Sequence, residues 1–169
     1  MTRICIKQPG QREAGQLAFM LCRDHALRRD LGIAADVRPT AEGFLEHLAV
    51  WCESRRATTY AILADDVAVG TISLSHRRLD GLSARIGYWV GSDHRRRGYA
   101  TEAFAAVLAR AASEGIRTVS ATIDTGNIAS RRLWERLGAA ATEVSAQRVR
   151  YELSAGPGLL TAAADGTGT

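Results

Sequence analysis

The chain has 169 residues, 46% of them hydrophobic and 24% charged, the composition of an ordinary globular chain rather than a disordered one. Its formal net charge of +4 suits an anionic ligand and is too small to argue for nucleic acid by itself. No apolar run approaches a membrane span, and residues 1–7 lack the apolar stretch of a secretory signal, so a cytoplasmic protein is expected.

Residues 2–7 alternate and predict a short strand, which Pro9-Gly10 breaks. Ala14, Leu17, Ala18, Leu21 and Cys22 recur at helical spacing, giving a first helix over about 12–29. Phe44, Leu45, Leu48, Trp51 and Cys52 mark a second, with Thr40 as its N-cap. Strands are expected over 58–63 and 67–74 around an Asp65-Asp66 turn, and over 83–90 after Asp80-Gly81. Gly87 interrupts the last of these and suggests a bulge or a close backbone approach. A helix from Tyr99 to Glu114 buries Phe104, Val107, Leu108, Ala111 and Ala112 and stops at Gly115. Val119, Ala121 and Ile123 form a strand. Asn127 caps a short helix that ends at Gly138, and Val149, Tyr151 and Leu153 alternate in a last strand.

The order is β-α-α-β-β-β-α-β-α-β-β, an α/β (α+β) chain with a mixed sheet of about seven strands, helices on both faces and parallel pairing inside the 83–123 unit. Residues 1–154 are expected to form a single domain and 155–169, rich in Gly, Ala and Thr, a disordered tail. The cysteines Cys5, Cys22 and Cys52 are odd in number and widely spaced, so buried thiols are expected rather than disulfides. His25, His47, His76 and His94 form no HxxxH pair, and no metal site is expected.

Chemistry concentrates in Arg95-Arg96-Arg97-Gly98-Tyr99-Ala100-Thr101, between the strand Ile86-Gly87-Tyr88-Trp89-Val90 and a helix. The first N–H groups of a helix lack intrahelical partners, and the macrodipole places partial positive charge on them. With Gly98 offering no Cβ and arginines alongside, the segment predicts a bound phosphate or pyrophosphate. A nucleic-acid patch explains it less well, because the run is short and has no interleaved aromatics.

Arg95-x-x-Gly98-x-Ala100 resembles the acyl-CoA signature Q/R-x-x-G-x-G/A of the GNAT superfamily of N-acetyltransferases. Ile86 to Val90 with Gly98 to Ala103, and Asn127-x-x-Ser130-x-Arg132-x-x-Glu135-x-Leu137-Gly138, look like its RimJ/RimL-type branch, the ribosomal-protein N-terminal acetyltransferases. The resemblance implies a GNAT fold and an acetyl-CoA cosubstrate whose pyrophosphate lies on the N–H groups of Arg96 to Thr101. It also implies a pantetheine arm along Tyr88, Trp89 and Val90, and cofactor contacts from Asn127 and Arg132, with Arg131 a further candidate. No metal takes part.

The implied reaction is direct acetyl transfer to a primary amine, either a protein N-terminus or a small molecule. Backbone N–H of the strand at Val90 would hold the oxyanion. Many members place an acidic Tyr where this chain has Trp134, whose indole cannot serve. Ser130 matches a Ser proposed to contact the thiolate in RimJ/RimL-type relatives; its plain reading is a hydroxyl satisfying the helix start. Where relatives carry a Glu, this chain has Arg85, which cannot be a base. Glu102 and Glu143 remain as carboxylates, although Glu102 also suits a helix N-terminus structurally.

The acceptor pocket would come from the two N-terminal helices and the strand pair from Glu143 to Tyr151. His25 and His47 would line it or be solvated surface. Trp51 and Trp134 read as packing. Homodimers are common among relatives, and neither nucleic acid nor membrane is an expected partner. The rival reading is a CoA-binding regulatory module without transferase activity, motivated by the departures at Trp134 and Arg85.

Overall fold

The structure, a computed structural model, describes residues 2–155. The strands are β1 (Ile4–Lys7), β2 (Thr58–Ala64), β3 (Val67–Ser75), β4 (Ser83–Val90), β5 (Thr118–Asp124), β6 (Ala140–Ser145) and β7 (Arg148–Ser154). They hydrogen-bond in the order β1-β2-β3-β4-β5-β7-β6. β1–β2, β5–β7 and β6–β7 are antiparallel. β4 and β5 pair in parallel from Ser83↔Thr118 to Arg85↔Ser120, as a strand-helix-strand crossover requires. The helices are α1 (Gln11–Arg23), α2 (His25–Asp30), α3 (Ala41–Arg55), α4 (Tyr99–Ser113) and α5 (Ile128–Arg136).

The predicted order holds with one correction. The single helix expected over 12–29 is two, because Asp24 ends α1 and starts α2. Its N–H donates to the Met20 carbonyl, and its Oδ1 then accepts from the Leu27 N–H at 2.9 Å. A capping carboxylate competes with continued helix at that point. Thr40 caps α3 as expected, accepting the Gly43 N–H at 3.1 Å.

The residues pack as two compact units. One comprises Met1–Ser73 and Tyr88–Phe104. α1 buries Ala14, Leu17, Ala18 and Leu21 along one stripe, and Leu17 meets Ala61, Leu63 and Ala68, with Cys5, Phe44 and Trp89 packed against them. β2 and β3 are buried at nearly every position, which explains why they read as continuous apolar runs rather than alternating ones. Their turn has Asp65 and Asp66 at φ 46° and 66°, the pair of positive values a two-residue hairpin turn of the mirror-image type needs.

The other unit comprises Leu74–Gly87 and, of the remaining described residues, 105–155. β7 buries Val149, Tyr151 and Leu153, with Arg150 half-buried and Glu152 exposed between them, while β6 is an edge strand exposed throughout. Trp134 and Tyr151 are fully buried, with ring centroids 6.3 Å apart. The Tyr151 hydroxyl donates to Glu135 Oε1 at 2.7 Å and accepts from Arg131 Nε at 3.2 Å. Trp134→Ala is expected to cost about 3–5 kcal/mol, read as a lower urea midpoint, because a large cavity opens beneath α5.

Two expectations fail locally. The cysteines are half-buried, not buried; Cys22 Sγ reaches the Pro39 carbonyl and Cys52 Sγ lies 3.5 Å from Thr59 Oγ1. Ala155, assigned to the tail, is buried and donates its N–H to the Arg117 carbonyl at 2.8 Å, closing the end of β7. The rest of the expected tail, 156–169, lies outside the described residues.

Candidate active site

β4 ends at Val90, and Ser92–His94 form one 3-10 turn before Arg95. The sign of φ then alternates: negative at Arg95 (−70°), positive at Arg96 (60°), negative at Arg97 and positive at Gly98 (83°). Alternation of this kind turns successive N–H groups toward one side and makes an anion-binding concavity. Among the described residues, the N–H groups of Arg96, Arg97, Gly98, Tyr99 and Ala100 have no hydrogen-bond acceptor. Thr101 and Glu102 both donate to the Gly98 carbonyl, at 2.9 and 3.1 Å, so the row of open N–H groups stops at Ala100. A Cβ on Gly98 would meet nothing within 4 Å, and Arg96 and Arg97 are exposed. Tyr99 is buried and anchors the helix start. Five consecutive open N–H groups, an open approach and two free arginines fit a pyrophosphate.

The strand leading into this loop lies unusually close to β3. A Cβ built on Gly70 would overlap the Trp89 carbonyl oxygen and come within 2.9 Å of Val90 Cα. Gly70 therefore sets the backbone position of Trp89 and Val90. Gly70 itself went unread in the sequence, hidden in an apolar run where a glycine reads as filler. Tyr88 is half-buried and meets Phe104 edge-on at 6.3 Å.

Asp24 also went unread. Besides Leu27 it accepts the Ser92 N–H at 2.6 Å and the Ser92 hydroxyl at 2.7 Å. Burial pushes its carboxyl up, but the N–H groups of Leu27 and Ser92, the Ser92 hydroxyl and the Arg95 charge outweigh it and hold the pKa below its ordinary value. Glu13 is lowered too, by the Gly10 N–H and then the Lys7 ammonium at 3.0 Å. A carboxylate with a lowered folded pKa stabilises the fold above its unfolded pKa of about 4, and that stabilisation is lost as pH falls through the folded value. The urea midpoint is thus expected to fall below about pH 4, with a shallower fall in Glu13→Gln/Asp24→Asn.

Phe19, Met20, Asp24, His25, Gly91 and Asp93 help line a cavity of about 640 Å³. His25 is exposed on its wall, and His47 is exposed on α3. Among the described residues no cluster of three His, Cys, Asp or Glu side chains suits a metal ion, and no helix is long and apolar enough to cross a membrane.

The sequence profile of the Acetyltransferase (GNAT) domain matches residues 3–140. The chain belongs to the GNAT acetyltransferase family. No curated protein matches it. Among solved structures, Mycobacterium smegmatis RimJ in complex with CoA-disulfide is 20% identical with a TM-score of 0.74, over 89% of this chain and 81% of that one. RimL, the ribosomal L7/L12 α-N-protein acetyltransferase in complex with coenzyme A, is 17% identical with a TM-score of 0.73, over 91% and 95%. The microcin C7 self-immunity acetyltransferase MccE, in complex with acetyl-CoA and AMP, is 16% identical with a TM-score of 0.71, over 89% and 92%. These likenesses are in the fold.

The second GNAT motif lies in the other compact unit, at the start of α5. Asn127 Oδ1 accepts the Ser130 N–H at 3.2 Å, so the Asn carbonyl caps the helix, as the sequence predicts. Ser130 is half-buried and Arg132 exposed. Arg131 is committed to Tyr151, to the Thr125 carbonyl at 3.1 Å and to Glu135. The Tyr151 hydrogen bond, then its charge and those of Glu135 and Glu143, raise its pKa against burial. It is a structural cation. In this GNAT chain the position of the usual acidic Tyr holds the buried Trp134. Arg85, Glu102 and Glu143 are all exposed.

Proposed function

We propose that this GNAT protein moves an acetyl group from acetyl-CoA to a primary amine by direct transfer, as a member of the RimJ/RimL-type branch. The observation that carries the reading is the row of five open N–H groups from Arg96 to Ala100. Acetyl-CoA supplies an acetyl group activated as a thioester. The N–H row and the Arg96 and Arg97 guanidinium groups bind its phosphates, and Asn127 and Arg132 are assigned to it from the second motif. Tyr88, Trp89 and Val90 present a strand edge to the pantetheine arm, and backbone N–H at Val90 steadies the developing oxyanion. Ser130 offers a hydroxyl to the thiolate. Arg85 cannot take the amine proton, so water takes it.

The acceptor is a protein N-terminus or a small amine. The likeness to RimL, an α-N-protein acetyltransferase, supports the first, and the likeness to MccE, a microcin self-immunity acetyltransferase, keeps the second in view. Residues 1–154 act as one catalytic domain, in the cytoplasm, and the arginines serve the phosphates of CoA rather than nucleic acid. Membership in a transferase family favours turnover over the regulatory alternative.

Isothermal titration with acetyl-CoA and CoA tests the cofactor; absence of binding overturns the reading. Intact-mass detection of one added acetyl, on protein and small-amine panels, tests transfer and sorts the acceptors. Ser130→Ala is expected to lower kcat about tenfold with little change in acetyl-CoA affinity, the signature of a contact made only in the transition state. Unchanged kcat would return Ser130 to helix capping.

A further inference from the structure

Helix α2 is fastened at both ends to the turn that leads into the phosphate cradle. At its start, Asp24 binds the Ser92 N–H and hydroxyl while also capping Leu27. At its end, Asp30 Oδ2 takes Arg95 at 2.9 Å, and Arg95 Nε donates back to the Val90 carbonyl at 3.2 Å. Met20, on the last turn of α1, lies against Gly91, leaving no room for a Cβ there.

The two fastenings differ in strength. Asp30 and Arg95 are largely exposed, and an exposed ion pair contributes little. Asp24 is half-buried, and its bonds to Ser92 are short and charge-assisted. The Ser92 bond is the stronger tie, and it lies four residues before the first open N–H of the cradle.

We infer that Asp24 and Ser92 are positioning residues for acetyl-CoA: they hold the 91–95 turn so that the N–H groups from Arg96 onward face the pyrophosphate. This rests on the acetyl-CoA reading above. Neither residue touches the cofactor. Arg95, placed among the phosphate ligands by the sequence, serves the same purpose through Asp30 and Val90, and leaves the phosphates to Arg96, Arg97 and the backbone. The N–H groups bind tightly only if they are aimed before the ligand arrives, because ordering them on binding would be subtracted from affinity. The same carboxylate starts α2, so cofactor binding should steady the α1–α2 junction.

The test is titration of CoA into wild type, Ser92→Ala and Ser92→Thr, with hydrogen exchange of the wild type in parallel. Ser92→Ala keeps the N–H bond and loses the hydroxyl; CoA affinity is expected to fall about tenfold, and KM for acetyl-CoA to rise with kcat little changed. Ser92→Thr, which keeps the hydroxyl, is expected to recover most of the affinity. In wild type, CoA should slow exchange at the Leu27 and Ser92 amides. Folded Ser92→Ala that binds CoA as tightly as wild type overturns the proposal. Should that variant not fold, unchanged wild-type exchange at both amides overturns it instead. Wild type that binds no CoA at all removes the acetyl-CoA reading itself, and this proposal with it.

Discussion

Gly98→Glu should leave a folded protein that no longer binds acetyl-CoA. Gly98 sits at φ 83° with open space where its Cβ would project. The fold is charged only for the backbone, about 1–2 kcal/mol for an L-residue in the left-handed region. Binding loses far more. The new side chain enters the space the phosphates need, and its carboxylate opposes them. Like charges about 4 Å apart repel by about 1–4 kcal/mol across the range from bulk water to a protein surface. With the steric block added, affinity should fall by at least about a hundredfold in calorimetry. Gly98→Ala carries the same backbone strain and no charge, and should keep measurable binding. Equal losses in the two variants would locate the effect in the loop conformation rather than in the cradle.

Gly70→Val has the opposite profile, with stability failing first. Its Cβ would overlap the Trp89 carbonyl and crowd Val90 Cα, both backbone atoms that no rotamer change can move aside. β3 is buried on all sides here, so the strands must separate or the ladder must slip. Overpacking of this kind typically costs about 1–3 kcal/mol, and a backbone clash belongs at or above the upper end. A urea midpoint well below that of wild type is expected, with acetyl-CoA affinity reduced in whatever remains folded. Gly70→Ala should show the same two losses in smaller measure. A wild-type midpoint in Gly70→Val would mean that β4 is not held where the structure has it.

Most of the fold was legible because its signals are local. Thr40 and Asn127 cap helices by reaching three residues ahead, and Gly115 and Gly138 close helices at positive φ; each needs only neighbouring residues to act. The loop proposed to hold the phosphates was legible for the same reason, since strand, arginines, glycine and helix are contiguous. What stayed hidden depends on distant partners. Asp24 divides a helix that periodicity alone would continue, and its partner Ser92 is 68 residues away. Gly70 looks like one small residue in Val67 to Leu74 until β4 is laid beside it. Arg131 and Arg132 are adjacent and chemically alike, yet only Arg131 has Tyr151 to bind.

The tryptophans supply three optical labels without any chemistry. Trp51 and Trp89 belong to one compact unit and are half-buried; Trp134 belongs to the other and is sealed from water. In a Trp51→Phe background each unit would carry one emitter, a blue-shifted one on α5 and one on β4. Quenching by a water-soluble agent then separates the two signals, and a single urea titration read at both wavelengths reports whether the units melt together.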